Sequence, residues 1–230
     1  MFSVSFKNES CIGYGIIPVK RPNIPAPEER VEEVEIPGRN GILVMPSGLY
    51  DYITIPVQFN FMSDPDECGQ VFRKAKRWIT GSGDLWFSDD PSVFYKVLKC
   101  KITDVERTSK KIENFTVEFT CDPFTYYKNG KEEIPLEADI FNPGYVCEPV
   151  YKISGEGLCA LTVNGNMFTA NVGQEIIIDS SRQIAYKTDG QMLNTDVTGD
   201  YSWLWLNPGE NTLSASDGFT VTITPEWRDI

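Results

Sequence analysis

At 230 residues, with 41% apolar and 12% aromatic side chains, the chain has material for one large β domain or two small ones with a proper core. Its formal charge of −12 excludes a large electrostatic attraction for nucleic acid or anionic lipid. Histidine is absent, which excludes Ser-His-Asp and Cys-His catalysis, HExxH zinc sites and imidazole acid/base chemistry, and leaves carboxylates, lysine and tyrosine.

No apolar run approaches the ~20 residues of a membrane span, and the start lacks a basic region followed by an apolar core and a cleavage site, so the expectation is a protein that folds in cytoplasm. The six cysteines (Cys11, Cys68, Cys100, Cys121, Cys147, Cys159) stand singly, without CxxC pairs. Scattered free thiols are therefore expected in preference to a disulfide framework. The charge is uneven: residues 1–72 carry 5 basic and 10 acidic groups, residues 73–111 carry 10 and 5, and residues 112–230 carry 6 and 18. The basic middle needs its own account.

Phe2, Val4 and Phe6 alternate with serines as an edge-capable strand, and a second short run covers Tyr14 to Val19. Between Pro18 and Pro27 four prolines make an extended arm that cannot pair as a central strand. The stretch from Arg30 to Phe61 then organises the rest. Val31, Val34 and Ile36 sit among glutamates, and IPGRNG supplies Pro37, Gly38 and Asn40-Gly41 where a hairpin reverses. From Ile53 to Phe61, Ile, Ile, Val, Phe and Phe occupy every second position, the period of a strand with one buried face.

After Phe61 the period changes. Asp64, Pro65 and Glu67 form an N-cap, a first-turn proline and a capping-box partner, and Val71, Phe72, Ala75, Trp78 and Ile79 recur at helical spacing. The prediction is a helix over roughly residues 65–80, stopped by Gly81. Its Arg73, Lys74, Lys76 and Arg77 read either as a nucleic-acid face or as a solvated outer face, and the second needs no further cause. LWFSDDPSVFYK follows as a short strand, a turn at Asp89-Asp90-Pro91 and a strand from Tyr95 to Ile102. Asp89 and Asp90 invite a glycosidase reading, but adjacent side chains on an extended segment point to opposite faces and cannot flank one bond. The alternation of Phe115, Val117 and Phe119 closes the first sheet, and a first domain over residues 1–123 is expected.

Residues 124–148, with Asn129-Gly130, Pro135 and Asn142-Pro143-Gly144, read as a linker. Residues 149–230 are all strand and turn: Val150 to Ile153, Leu158 to Val163, Met167 to Ala170, Glu175 to Asp179, Gln183 to Lys187, Tyr201 to Leu206, Thr212 to Ala215 and Phe219 to Thr224. Asn164-Gly165 is the strongest short hairpin signal in the chain, and the strand spacing suggests a β-sandwich. Trp203 and Trp205 share a face if their segment is a strand. They are then either core packing or a sugar-stacking platform.

The order of these pieces carries a resemblance. GYGI, a Pro-rich arm ending in Glu-Arg, IPGRNG, GLYDYITIPVQF, a helix ending in Trp, LWFSDDP, ISGEGLCALTVNG, IIIDS, GDYSWLWLNPGEN and a closing ITPEWRDI together resemble the distal tail protein family of long-tailed phages and prophages of Gram-positive bacteria. The likeness covers nearly the whole chain. It implies a mainly β fold, with an N-terminal β-sandwich or barrel-like ring domain carrying one α-helix and a C-terminal galectin-like β-sandwich. It implies a non-enzymatic component at the virion tail tip, made and assembled in the host cytoplasm, with no metal and no cofactor. Its partners would be further copies in a hexameric ring, the tail-tube protein, the tail-associated hub or lysin protein, and a receptor-binding or fibre protein, with DNA only passing through the lumen and no membrane contact. The ring-side signature maps to Arg30, Pro37, Gly38, Arg39, Gly41, Tyr50 and Asp51, with Asp89, Asp90 and Pro91 at the later turn. Asn40 stands where the family more usually has Asp, and the long insertions by which some relatives carry sugar-binding modules are missing. The alternative, from a different class, is a carbohydrate-binding module that uses Trp203 and Trp205 on host cell-wall polysaccharide.

Overall fold

A computed structural model describes residues 1–64, 66–107 and 112–230. The chain is mainly β with one α-helix among the described residues, and divides into two compact units, residues 1–125 with Ile230 and residues 126–229.

The first unit holds β1 (Val4–Phe6), β2 (Glu9–Ser10), β3 (Ile17–Pro18), β4 (Glu29–Glu35), β5 (Ile42–Tyr50), β6 (Ile53–Met62), α1 (Cys68–Trp78), β7 (Gly83–Phe87), β8 (Asp90–Arg107) and most of β9 (Ile112–Tyr127). Its main sheet runs β2-β1-β7-β8-β9-β6-β3, while β4 and β5 form a separate two-stranded sheet. The alternation in β6 does what a two-residue period requires. Ile53, Ile55, Val57, Phe59 and Phe61 are all buried, and Ile55, Val57 and Phe59 face Phe119, Val117 and Phe115 across the ladder. Pro56 is tolerated in this strand because Val19 N–H donates to the Gln58 carbonyl at 2.8 Å, which fixes the backbone edge of even-numbered residues toward the short β3. Since β3 reaches only Phe59 and Asn60, the missing Pro56 N–H lies on an open edge.

α1 lies over this sheet through its apolar stripe. Phe72 meets the Phe115 ring edge-on at 5.3 Å, and Trp78 packs edge-on to Phe6 and Phe59 at 6.2 Å while its indole N–H donates to the Phe6 carbonyl at 3.1 Å. The helix starts later than its sequence signals suggest. Its N-cap is Glu67, which makes no side-chain cap bond, and the Asp64 carbonyl first closes a turn by accepting from the Glu67 and Cys68 N–H groups at 2.9 and 3.1 Å. Pro65, the expected first helical residue, lies outside the described residues. At the other end Ile79 N–H still bonds to the Ala75 carbonyl and Gly81 takes φ 80°, the left-handed stop expected of it.

The second unit begins at Tyr126, at the end of β9, and continues through β10 (Ile134–Pro135), β11 (Asp139–Asn142), β12 (Val150–Val163), β13 (Asn166–Asp179), β14 (Ile184–Tyr186), β15 (Val197–Thr198), β16 (Gly209–Ala215), β17 (Thr220–Thr224) and β18 (Arg228–Asp229). Its sheet runs β10-β17-β12-β13-β14, with β16 pairing both β11 and β12, and β15 pairing β13. β12 and β13, 14 residues each, are one hairpin closed at Asn164-Gly165, whose φ values of 49° and 83° are those of a type I′ turn. Four shorter strands were expected there. The ladder runs straight through Gly155 and Gly157, and Gly155 is required because a Cβ on it would stand 2.5 Å from the Phe219 ring.

Residues 128–148 are not a plain connector either. They supply a 3-10 turn at Lys128–Lys131 and strands β10 and β11, and Asn142 is 1% exposed, donating to the Tyr145 and Leu206 carbonyls at 2.9 and 3.1 Å. Buried amide bonds of this kind replace the apolar run by which a strand is usually recognised. Arg228, also buried, bonds to the Val146 carbonyl at 2.7 Å and to the Glu148 carboxylate at 2.8 Å.

Candidate assembly surfaces

Most of the residues singled out by sequence fall on the β4–β5 hairpin. Its ladder pairs Glu35 with Ile42 at the tip and Glu29 with Tyr50 at the base. At the tip, Arg39 N–H donates to the Ile36 carbonyl at 3.1 Å and Gly38 has φ 83°. Proline second and a left-handed glycine third define a type II turn, which explains Pro37 and Gly38 together. Gly41 follows at φ 82° and returns the chain to β5.

The base is tied by polar contacts. Arg30 Nε donates to the Asp51 carboxylate at 2.6 Å, Asp51 N–H donates to the Glu28 carbonyl at 2.9 Å, and Ser47 Oγ donates to the Arg30 carbonyl at 2.6 Å. The ladder shifts register between Glu29 and Val31, opposite Gly48 with φ 70°, a bulge that bends the hairpin where it leaves its root. Tyr50 meets the Phe124 ring edge-on at 6.0 Å. Arg30, Tyr50 and Asp51 thus form one group at the root, and Pro37, Gly38, Arg39 and Gly41 a second at the tip.

Between root and tip nearly every side chain is exposed. Val31, Ile42, Val44, Met45 and Leu49 are 44–59% accessible, while in β6, directly after this hairpin, every second residue is buried. No other strand pairs with β4 or β5 among the described residues. Isolated two-stranded ribbons are at best marginal in water, so the exposed aliphatics of this ribbon, set among the glutamates of β4, mark it as a candidate contact surface.

Asp89, Asp90 and Pro91 belong to a different place. Asp90 begins β8, paired with Phe87, so the strand starts well before the expected Tyr95. Asp89 accepts from Arg21 Nε at 2.7 Å, and Arg21 also lies 5.3 Å above the Phe2 ring. Asp90 accepts from Ser92 Oγ at 2.7 Å. The turn therefore holds the proline-rich arm, and each carboxylate has its own separate partner. The role of Arg21 was missed because nothing in its local sequence marks a long-range contact.

Trp203 and Trp205 do not share a strand face. Residues Tyr201–Leu204 form a 3-10 turn whose N-cap Asp200 accepts from Ser202 N–H and Oγ at 2.9 and 2.7 Å, and three-residue periodicity turns Leu204 inward and Trp203 outward. Trp203 is 42% exposed, whereas the Trp205 indole N–H is buried without a hydrogen-bond partner among the described residues. The shared strand face expected of the two indoles is thus not formed.

All six cysteines are free. Burial pushes the Cys100 thiol up to about 11, and those of Cys121 and Cys147 up to about 12, so these three stay protonated at neutral pH and are poor nucleophiles. Among the described residues no group of three or more Cys, Asp or Glu side chains is placed to hold a metal, and no helix is long and apolar enough to cross a membrane.

No protein-family model matches the sequence, and no curated protein matches it. Among solved structures the chain is similar to the Dit protein (gp 19.1) of SPP1, described as a paradigm of the hub adsorption apparatus in phages infecting Gram-positive bacteria. The likeness covers 100% of this chain and 98% of that one, with a TM-score of 0.71 at 14% sequence identity. The chain therefore has the fold of a phage Dit protein along its whole length.

Proposed function

We propose that this chain is a structural component of a phage tail tip, forming a hexameric ring that joins the tail tube to the hub and to the receptor-binding or fibre proteins. The observation that carries the reading is the β4–β5 hairpin, whose apolar side chains are left to solvent on a fold shared end to end with a phage hub adsorption protein. A subunit that extends a ribbon beyond its own core has the means to contact the next copy, and repetition of one such heterologous contact closes a ring. In this reading the first unit builds the ring, with Arg30, Tyr50 and Asp51 setting the angle of the hairpin and the Pro37–Gly41 tip engaging a neighbour. The second unit, a galectin-like sandwich, faces outward to fibre proteins. The net charge of −12 suits a conduit, because a negative lumen repels passing DNA. The chain would be made in the bacterial cytoplasm and end in the virion, acting by binding and not by catalysis.

The test is the mass of the purified chain in solution, alone and mixed with candidate tail-tube and hub proteins from the same phage or prophage. A six-fold species is expected. A monomer under all of these conditions would remove the ring reading.

A further inference from the structure

We propose that the acidic strand β4 of one copy docks on the basic outer face of α1 in a second copy; this rests on the ring reading and names the surfaces that meet. Arg73, Lys74, Lys76 and Arg77 are all exposed on α1, interrupted only by the buried Ala75. Together with Gln70 they line a hollow of about 490 Å³, and beside it Lys7, Glu9, Tyr14 and Trp78 join Lys74 and Arg77 around a second of about 300 Å³. Among the described residues none of the four helix cations has a carboxylate partner, Lys76 resting instead over the Phe72 ring at 4.5 Å. On a chain of charge −12 this is a concentrated positive face, and the one carboxylate lining its second hollow, Glu9, already accepts from the Tyr14 hydroxyl.

The complement is on β4. Glu29, Glu32, Glu33 and Glu35 are exposed, and the one cation in the strand, Arg30, is already engaged by Asp51 at 2.6 Å. Alternation puts Val31, Glu33 and Glu35 on one face, and the ladder sets Pro46, Val44 and Ile42 beside them. Two carboxylates flanked by exposed aliphatics match a helix face made of long cationic side chains, whose methylene stems cover apolar surface while their heads reach the charges. The dimensions agree. Glu33 and Glu35 lie about 7 Å apart along a strand, and Arg73 and Arg77 about 6 Å apart along a helix axis. A copy of this chain is favoured over nucleic acid as the occupant because it carries both halves of the match, apolar and anionic, whereas a phosphate backbone supplies only charge.

Two full-length variants test the pairing: an arm-reversed chain with Glu33→Lys and Glu35→Lys, and a helix-reversed chain with Arg73→Glu and Arg77→Glu. Both change exposed side chains only, and circular dichroism and thermal melting are expected to match wild type. By sedimentation velocity from nanomolar to high micromolar protein, each variant alone should assemble at least about tenfold more weakly than wild type. An equimolar mixture should recover assembly, since the reversed arm of one meets the reversed helix of the other. Variants that assemble as well as wild type, or a mixture that stays dissociated, would overturn the pairing and leave the ring reading in place. A wild-type chain that never assembles would overturn both. Tight binding of duplex DNA by wild type at physiological salt, lost in the helix-reversed chain, would overturn the pairing by assigning the face to nucleic acid.

Discussion

Two long antiparallel hairpins in this chain have the same backbone construction and opposite surroundings. β12–β13 is flanked by β16 and β17 on one side and by β14 and β15 on the other, and buries residues along both strands. β4–β5, closed just as well by a glycine turn, has no flanking strand among the described residues, and only Val34, Leu43 and Tyr50 are even half-buried. Ladder hydrogen bonds alone therefore do not decide whether a hairpin is core or surface. What decides is whether other elements supply the second layer, and for β4–β5 no further strand does so among the described residues.

The comparison breaks most visibly if a buried ring of the second hairpin is removed. Phe168 in β13 is fully buried and packs against Tyr201 at 5.3 Å. Phe168→Ala is expected to destabilise the second unit by about 3–5 kcal/mol in urea unfolding, through lost transfer energy and the cavity left behind. Little or no loss would mean that this hairpin is no more core than the other.

Next in size is Gly155→Ala. The added methyl would lie 2.5 Å from the Phe219 ring at a backbone φ of 152°, so either the ring or the strand must shift. A loss of about 1–3 kcal/mol is expected in the same measurement. The equivalent change at the exposed tip, Gly38→Ala, meets no atom within 4 Å and is strained only by its φ of 83°.

Tyr151 sharpens the comparison through pH. It is fully buried in β12, its hydroxyl donates to the Leu204 carbonyl at 2.7 Å, and burial holds its ionisation well above the ordinary value of 10.0. A folded-state value raised in this way gives stability that is complete below about pH 10 and is lost as the pH climbs toward the folded value, because only the unfolded phenol can ionise. Burial holds Cys147 in the same unit up at about 12 against an ordinary 9.0, which acts in the same direction and starts about one pH unit lower. Tyr151→Phe should cost about 1 kcal/mol at neutral pH and flatten the alkaline decline, read by melts between pH 8 and about 11. An equally steep decline in the variant would assign the effect elsewhere.

Legibility in the sequence followed the same division. β6 was readable because one buried face forces a strict two-residue period, and α1 because its apolar stripe changes to helical spacing. The β12–β13 ladder was read as fragments because Gly155 and Gly157 look like breaks, when pairing to Gln174 and Val172 and the space taken by Phe219 override them. SWLW alternates like a strand, yet Asp200 two residues before Ser202 is a cap signal that local reading passed over. Residues 128–148 hid their fold because Asn142 is held by polar bonds to residues as distant as Leu206. In the β4–β5 hairpin the turn residues were legible, while the Arg21–Asp89 contact joins positions 68 residues apart and left no local trace.

The smallest expected effect on stability tests the exposed hairpin most directly. Val44 is 49% exposed in the middle of β5, opposite Glu33. Val44→Ser removes apolar surface of which the isolated subunit leaves about half to solvent, so its stability should stay within about 0.5 kcal/mol of wild type. In an assembled ring the same side chain would be covered, and the substitution should then weaken association while leaving the monomer intact. A variant that melts early would place Val44 in the subunit's own core. One that melts and assembles like wild type would separate this face of β5 from the interface, leaving the root at Arg30 and Asp51 and the tip at Pro37 to Gly41 as the parts of the hairpin that meet a neighbour.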